Sequence, residues 1–283
     1  MHETMRRLVL TILIVYLTDP LNAQQLAAPD TVTIHSGQYQ LKGLLWHPAQ
    51  GSHWPAIIFC HGSYETTDTL DDLIQDVSLL GSVFARQGYL FLGVFRRGAG
   101  LSKTQGANTA DLMAQAFSNR GQEGRNEIQI YQLQSADSND IVSALSFLRL
   151  RKDVDTSRIG LVGHSYGGSL ALLVASHDAG VKTVIVFSPA GYSWDRSSKL
   201  RYALIDAVRH IEAPIMIIHA QNDYSLHPGQ ALDSVLSAMN KPHLLKIYPP
   251  SGSSPKQGHG MIFFNPTSWE ADVFKFLQKW LLK

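Results

Sequence analysis

The chain has 283 residues and a formal net charge of +1. Hydrophobic residues make up 45% of it and charged residues 17%, which supplies a sizeable core and excludes a mainly disordered chain. The near-neutral balance, without runs of like charge, gives no electrostatic reason to expect nucleic acid as a partner.

The N-terminus has the layout of a secretory signal peptide. Two arginines precede an apolar run over residues 8–17, and Pro20 ends this run before the small residue Ala23. The run is too short for a bilayer, which needs about 20 residues. We expect a signal peptide over residues 1–23, cleaved after Ala23, and one folded domain over 24–283 that is not inserted in a membrane. A buried N-terminal helix or an uncleaved anchor is the alternative.

Cys60 is the single cysteine, so an internal disulfide and a cysteine-based zinc site are both excluded. We interpret it as a small core residue. The histidines show no metal-ligand spacing, and no metal is expected. Export without a disulfide fits a periplasm or a bacterial cell envelope, so the predicted location is secreted or periplasmic.

The first half of the chain begins with alternating apolar and polar positions, which predict an antiparallel strand pair turning at Gly37-Gln38. Two continuous apolar runs follow and predict strands buried on both faces. The predicted strands are 31–36, 39–46, 55–60 and 89–95. A helix is predicted over 72–87. Residues 98–126 are polar and are expected to form a long loop, functional or disordered, before a helix over about 127–150.

The second half repeats a strand–helix pattern. The predicted strands are 158–163, 181–187, 214–219 and 243–248, and the helices are 167–177, 228–240 and 268–282. Antiparallel strands followed by this alternation predict an α/β fold, with a mostly parallel central sheet of about eight strands and helices on both faces. Ligands bind such sheets at the carboxyl ends of the strands.

A nucleophile motif lies at one of these ends. Gly163-His164-Ser165-Tyr166-Gly167 matches G-x-S-x-G between an apolar strand and an Ala/Leu-rich helix. The motif places the serine on a sharp, strained turn, where a side chain at either flanking glycine would collide with a neighbouring element. The Tyr166 N–H, at the start of the helix, then points at a developing oxyanion.

A serine nucleophile needs a histidine base and an orienting carboxylate. His259, between two glycines after the last predicted strand, is the predicted base. Asp223 directly follows strand 214–219 and is the preferred acid, with Asp195 as the alternative.

His61-Gly62-Ser63 closes a buried strand, where the second oxyanion donor is expected. We assign that donor to the Ser63 N–H, with Tyr64 as the alternative. His61 is interpreted as a structural hydrogen-bonding residue. Arg96 and Arg97 are expected to brace loops rather than to bind an anionic group.

These motifs, together with residues 97–102 (RGAGLS), resemble the α/β-hydrolase superfamily. Within it the chain is most similar to the dienelactone hydrolase family and its prolyl-oligopeptidase-like neighbours. The segments 154–160 (VDTSRIG) and 247–249 (IYP) are typical of that group, and the resemblance covers about residues 30–283. It implies an α/β-hydrolase fold, a Ser-His-Asp triad and no cofactor.

The chain departs from these relatives in two ways. The name-giving dienelactone hydrolases use a cysteine nucleophile, whereas Ser165 stands here, which favours ester hydrolysis. The chain has no room for the propeller of the oligopeptidases. Tyr64, Tyr192 and Trp194 are expected to line the substrate pocket, and the segment 189–212 is long enough for only a modest lid.

The sequence therefore predicts an exported serine hydrolase that cleaves small-molecule carboxylic esters through an acyl-enzyme. Three alternatives remain at this point: a serine peptidase or amidase of the prolyl-oligopeptidase-like type, a non-catalytic binding protein with this fold, and an acyltransferase. The oligomeric state is left open.

Overall fold

A computed structural model of the protein describes residues 27–64 and 70–282. The predicted signal peptide over 1–23 lies outside these residues. The strands are β1 Asp30–Ser36, β2 Tyr39–Trp46, β3 Trp54–Cys60, β4 Leu90–Val94, β5 Val154–His164, β6 Val181–Phe187, β7 Ile215–Ala220 and β8 His243–Tyr248. The helices are α1 Leu70–Arg86, α2 Thr109–Gln134, α3 Ala136–Arg149, α4 Tyr166–Ala175, α5 Ser198–His210, α6 His227–Ala238, α7 Pro255–His259, α8 Met261–Phe264 and α9 Pro266–Trp280.

The eight strands form one sheet in the order β1-β2-β4-β3-β5-β6-β7-β8. β1 pairs antiparallel with β2, and β2 pairs antiparallel with β4. All pairings from β4 across to β8 are parallel. The antiparallel pair turns at Gly37, whose φ of +57° suits glycine. The prediction of a mostly parallel sheet of about eight strands is confirmed.

Helices cover both faces of the sheet, as predicted. Along β3, Ile58 faces the core under α2–α6, while Ile57 and Phe59 face the core under α1 and α9. Side chains alternate between the faces of a strand, so a strand that is apolar at every position is buried on both. None of the helices in the described part of the chain combines the length and apolar character that crossing a bilayer requires.

The prediction of a loop over 98–126 is wrong. A 3₁₀ turn at Gly100–Ser102 leads into α2, whose first turn is capped by the Asn108 side chain. The helix bends at Gly121, which has φ 62° and ψ −158°. The bend and the polar composition break the apolar period that identifies a helix.

Two further helical segments differ from the expectation. The helix predicted over 127–150 is interrupted at Ser135, where φ −130° and ψ −96° separate α2 from α3. The segment 189–212 contains α5, which no pattern predicted. Leu200 and Leu204 of α5 are fully buried, so this segment packs into the domain rather than forming a lid.

Candidate active site

Ser165 lies at the sharp turn between β5 and α4, with φ 55° and ψ −118°. This backbone conformation is strained for any residue with a side chain. A Cβ on Gly163 would lie 2.3 Å from the Gly167 carbonyl oxygen, and one on Gly167 would lie 2.0 Å from the Cys60 carbonyl oxygen. The expected reason for both glycines is therefore confirmed.

His259 lies between Ser165 and Asp223. Its Nε2 is 2.8 Å from the Ser165 Oγ, and its Nδ1 donates to the Asp223 Oδ1 at 2.7 Å. The structure thus brings the three predicted triad residues into one hydrogen-bonded chain. Asp195, the alternative acid, bonds instead to Ser225 and His227 at the surface.

The Asp223 carboxylate is buried and accepts three hydrogen bonds. Oδ1 accepts from His259 and from the Tyr224 N–H, and Oδ2 accepts from the His219 Nδ1 at 2.7 Å. Burial alone would raise the pKa of Asp223, but the hydrogen bonds and charges of the two imidazoles hold it far below its ordinary value. Asp223 is therefore ionised at every physiological pH.

His259 is the last residue of the short helix α7. The Ser254 side chain caps this helix. Gly258 is required by packing, because a Cβ there would lie 2.4 Å from the Asn222 carbonyl oxygen. The His164 Nε2 donates to the His259 carbonyl at 2.9 Å. Burial and the nearby His259 lower the pKa of His164 to about 3, so His164 is neutral.

The two predicted oxyanion donors flank Ser165. The Tyr166 N–H is at the first position of α4, where backbone N–H groups have no partner within the helix. Gly62 passes close to the serine, since a Cβ on it would lie 3.6 Å from the Ser165 Cβ. The next N–H along the chain is that of Ser63.

Arg96 fixes the loop that carries Ser63. Its guanidinium donates to the carbonyls of His61 at 2.7 Å and Gly62 at 2.9 Å. The described residues contain no cis peptide bond, so the Ser63 N–H points away from Arg96, opposite to the Gly62 carbonyl. Arg97 pairs with Asp140 at 2.6 Å. Both arginines brace loops, as expected.

A buried polar cluster supports the other donor. Asp137 of α3 accepts hydrogen bonds from the Tyr166 hydroxyl at 2.7 Å and from Thr109. The Arg96 Nε lies 3.7 Å from the same carboxylate, and its guanidinium lies over the Tyr166 ring. Arg96 thus contacts both halves of the candidate oxyanion hole.

A pocket of about 630 Å³ opens above Ser165 and His259, within the range of small-molecule sites. Tyr64 and Tyr192 line it, as predicted. Trp194 does not. It is only 4% exposed and belongs to the core on the α2–α6 side of the sheet.

Helix α2 supplies a wall of this pocket that the sequence did not predict. Met113, Arg125 and Gln129 line it. The Arg125 side chain approaches Gln129 at 3.3 Å and Ser193 at 3.4 Å. Burial lowers the pKa of Arg125 from its ordinary value. Within the described residues, no three His, Cys, Asp or Glu side chains are grouped as metal ligands would be.

The family model for the dienelactone hydrolase family matches residues 41–262, a span that holds the strained serine, the carboxylate and the imidazole. The chain belongs to the dienelactone hydrolase family. The chain is 22% identical over 240 residues to a Bacillus subtilis protein named uncharacterized peptidase YtmA. That match covers 75% of this chain and 80% of the relative.

Solved structures share the fold. An acylaminoacyl peptidase from Pyrococcus horikoshii superposes with a TM-score of 0.64 at 19% identity, covering 91% of this chain. The chain spans only 41% of that peptidase. The esterase Pf2001 from Pyrococcus furiosus superposes with a TM-score of 0.63 at 17% identity, covering 89% of this chain and 91% of the esterase. At such low identity these structures show the α/β-hydrolase fold alone. The family match makes the protein a hydrolase.

Proposed function

We propose that this protein is an exported serine hydrolase that cleaves carboxylic esters through an acyl-enzyme. One observation carries the proposal: the Ser165 Oγ lies 2.8 Å from the His259 Nε2, and the Nδ1 of the same ring donates to the ionised Asp223. A base held by a carboxylate and within hydrogen-bond reach of a hydroxyl activates that hydroxyl as a nucleophile. The export rests on the signal-peptide pattern of residues 1–23.

The geometry fits the following steps. His259 takes the Ser165 proton as the Oγ attacks the ester carbonyl, and the N–H groups of Tyr166 and Ser63 stabilise the oxyanion. The tetrahedral intermediate collapses, the ester C–O bond breaks, and His259 gives its proton to the departing alcohol. Water then attacks the acyl-enzyme with His259 again as base, which releases the acid and restores Ser165. Asp223 stabilises the imidazolium in both halves.

Hydrolysis of a p-nitrophenyl ester series from acetyl to dodecanoyl tests this function. The wild-type protein is expected to release p-nitrophenol, with the preferred acyl length set by the pocket. Ser165→Ala is expected to lose activity by on the order of 10⁴-fold to 10⁶-fold while its melting temperature stays nearly unchanged. Full activity in this variant would refute the proposal, as would an equal loss of activity and folding.

A peptidase or amidase is the second candidate, because one relative is named a peptidase and the fold matches an acylaminoacyl peptidase. The same triad cleaves amides when His259 protonates a leaving amine. Comparing kcat/KM on matched alanyl esters and alanyl anilides separates the two. Ester turnover alone supports the first proposal, and efficient anilide turnover favours the second.

A further inference from the structure

A second histidine contacts the candidate triad from beneath. His219 lies in β7 with its side chain fully buried, four residues before Asp223. Its Nδ1 is 2.7 Å from the Asp223 Oδ2, the same distance that joins His259 to Oδ1. One carboxylate is therefore shared by two imidazoles, and the mechanism above uses only one of them.

The surroundings of His219 fix the direction of its N–H. Its Nδ1 lies against a carboxylate oxygen of Asp223 and donates to it. Its Nε2 is buried and has no hydrogen-bond partner among the described residues. The hydrogen bond to Asp223 is therefore the polar contact through which His219 acts.

The chain leaves room for this ring on the opposite side. Gly229 of α6 packs against it, and a Cβ at that position would lie 2.8 Å from the His219 Nε2 and 2.7 Å from its Cδ2. A side chain at position 229 would collide with the His219 imidazole and displace the ring from its present position. The ring is thus confined between α6 and Asp223.

We propose that His219 is a positioning residue of the triad, which occupies the Asp223 Oδ2 so that Oδ1 stays aligned with His259. The inference rests on the proposed function. Without the His219 N–H, the carboxylate has a bare buried oxygen and is free to rotate away from His259. His259 acts on the nucleophile and Asp223 orients His259, whereas His219 acts only through Asp223.

A matched pair of substitutions tests the proposal. The side-chain nitrogen of Asn occupies the place of the histidine Nδ1, whereas that of Gln occupies the place of Nε2. His219→Asn therefore keeps a donor for Asp223, and His219→Gln places its donor toward Gly229. His219→Leu removes the donor altogether. Both amide variants are polar and similar in size, so they share any general cost of altering this buried position.

The readout is the rate at which a fluorophosphonate probe labels Ser165 at neutral pH. This rate needs no knowledge of the natural substrate. We expect the Gln and Leu variants to label more slowly by on the order of tenfold to 100-fold, the effect of one hydrogen bond to a charged group. His219→Asn keeps a donor for Asp223 and is expected to label at a rate near that of the wild type.

Equal labelling rates in the Asn and Gln variants, both folded by circular dichroism, would overturn the role of His219. An equal loss of rate in all three variants would assign His219 to packing alone and would also overturn it. Failure of the proposed function looks different. Without a serine nucleophile the wild-type protein would not label at Ser165, and a peptidase would label but would not turn over the p-nitrophenyl esters. If the Leu variant does not fold, the Asn and Gln pair still decides the question.

Discussion

At the scale of the residue, Ser165 combines a reactive hydroxyl with a backbone at φ 55° and ψ −118°. That conformation costs on the order of 1–3 kcal/mol for a residue with a Cβ. The surrounding elements hold this strained turn in place. The Ser165 N–H donates to the Phe187 carbonyl at 2.9 Å, and the two flanking glycines let the neighbouring backbone segments approach closely. Stability is given up here to expose a nucleophile.

This strain predicts a difference between two inactive variants. Ser165→Gly and Ser165→Ala both lack the hydroxyl, but only glycine adopts this backbone without strain. We expect the glycine variant to have the larger free energy of unfolding by about 1 kcal/mol, after the entropy cost of glycine in the unfolded chain is counted. Urea unfolding of the two proteins measures the difference. Equal stabilities would show that the turn is not strained.

Arg96 predicts a second residue-scale effect. Arg96→Lys replaces a planar fork that holds two carbonyls by a point charge that holds one, so the Ser63 N–H loses its fixed direction. We expect kcat for ester hydrolysis to fall by on the order of tenfold to 1,000-fold with little change in KM.

The control for this variant is Arg97→Lys. The Arg97 guanidinium pairs with Asp140 and not with the Gly62 carbonyl, so its replacement should reduce stability and leave kcat nearly unchanged. A normal kcat in Arg96→Lys would remove Ser63 from the oxyanion hole.

At the scale of the element, α2 is the part of the molecule that shapes the pocket. Its bend at Gly121 separates a first half that carries Met113 from a second half that carries Arg125. The guanidinium of Arg125 lies over the Tyr192 ring. Its hydrogen bonds in the described residues go to Gln129 and Ser193, so this positive charge lies in the pocket wall without a direct ion pair among those residues. Asp72 and Asp76 line another part of the same pocket.

This charge predicts a preference for substrates with a carboxylate. Arg125→Gln is expected to raise KM by on the order of tenfold for an ester with a free carboxylate, the effect of one charge-assisted hydrogen bond, and to leave KM for its neutral methyl ester nearly unchanged. Steady-state kinetics on the pair measures this. Arg120→Gln is the control, since Arg120 pairs with Glu127 at 2.6 Å and is half exposed. A parallel change on both esters would assign Arg125 to packing.

At the scale of the whole molecule, the parallel sheet gathers the site. Ser165, Asp223 and His259 follow β5, β7 and β8, and the carboxyl ends of these strands share one edge of the sheet.

The same architecture distributes ion pairs over its surface. Among the described residues, hydrogen bonds and nearby cations lower the pKa of more aspartates than burial raises. The lowered ones are Asp153, Asp155, Asp178, Asp195, Asp223 and Asp272, and the raised ones are Asp76 and Asp137.

This balance predicts loss of stability in acid. A carboxyl whose pKa is lowered on folding stabilises the protein above its ordinary pKa of about 3.9, and that contribution is lost as the pH falls. We expect the melting temperature to drop as the pH is lowered from about 5 to about 2. Asp178, paired with Arg149 at 2.7 Å, contributes part of this, so Asp178→Asn should lower the melting temperature at neutral pH and flatten its fall. A melting temperature that rises in acid would contradict the prediction.

The sequence predicted what depends on local pattern. Patterns over a few neighbouring residues identified the serine motif, the buried strands and the polar residues that follow them. The structure brings Ser165, Asp223 and His259 together as expected. Their catalytic roles stay predictions until the variants are measured. The sheet was predictable because strands apolar at every position occur in parallel sheets covered on both faces.

What the sequence did not predict depends on packing between distant segments. Helix α2 is polar and bent, so it has no continuous apolar face, although Asn108 at its start is a capping residue. Trp194 was expected at the pocket, but the 3₁₀ turn that carries it faces the core. His219 resembled any other buried strand residue in the sequence, because its contact with Asp223 depends on the turn after β7.

Cys60, at the end of β3, is fully buried, and burial raises the pKa of its thiol to about 12. It is also the single cysteine of the chain. We therefore expect the native protein not to react with thiol reagents, so that a cysteine introduced at the surface is the single position that such a reagent labels. A fluorophore at position 117, where the Phe117 side chain of α2 is 51% exposed, reports movement of the pocket wall in an otherwise unaltered enzyme.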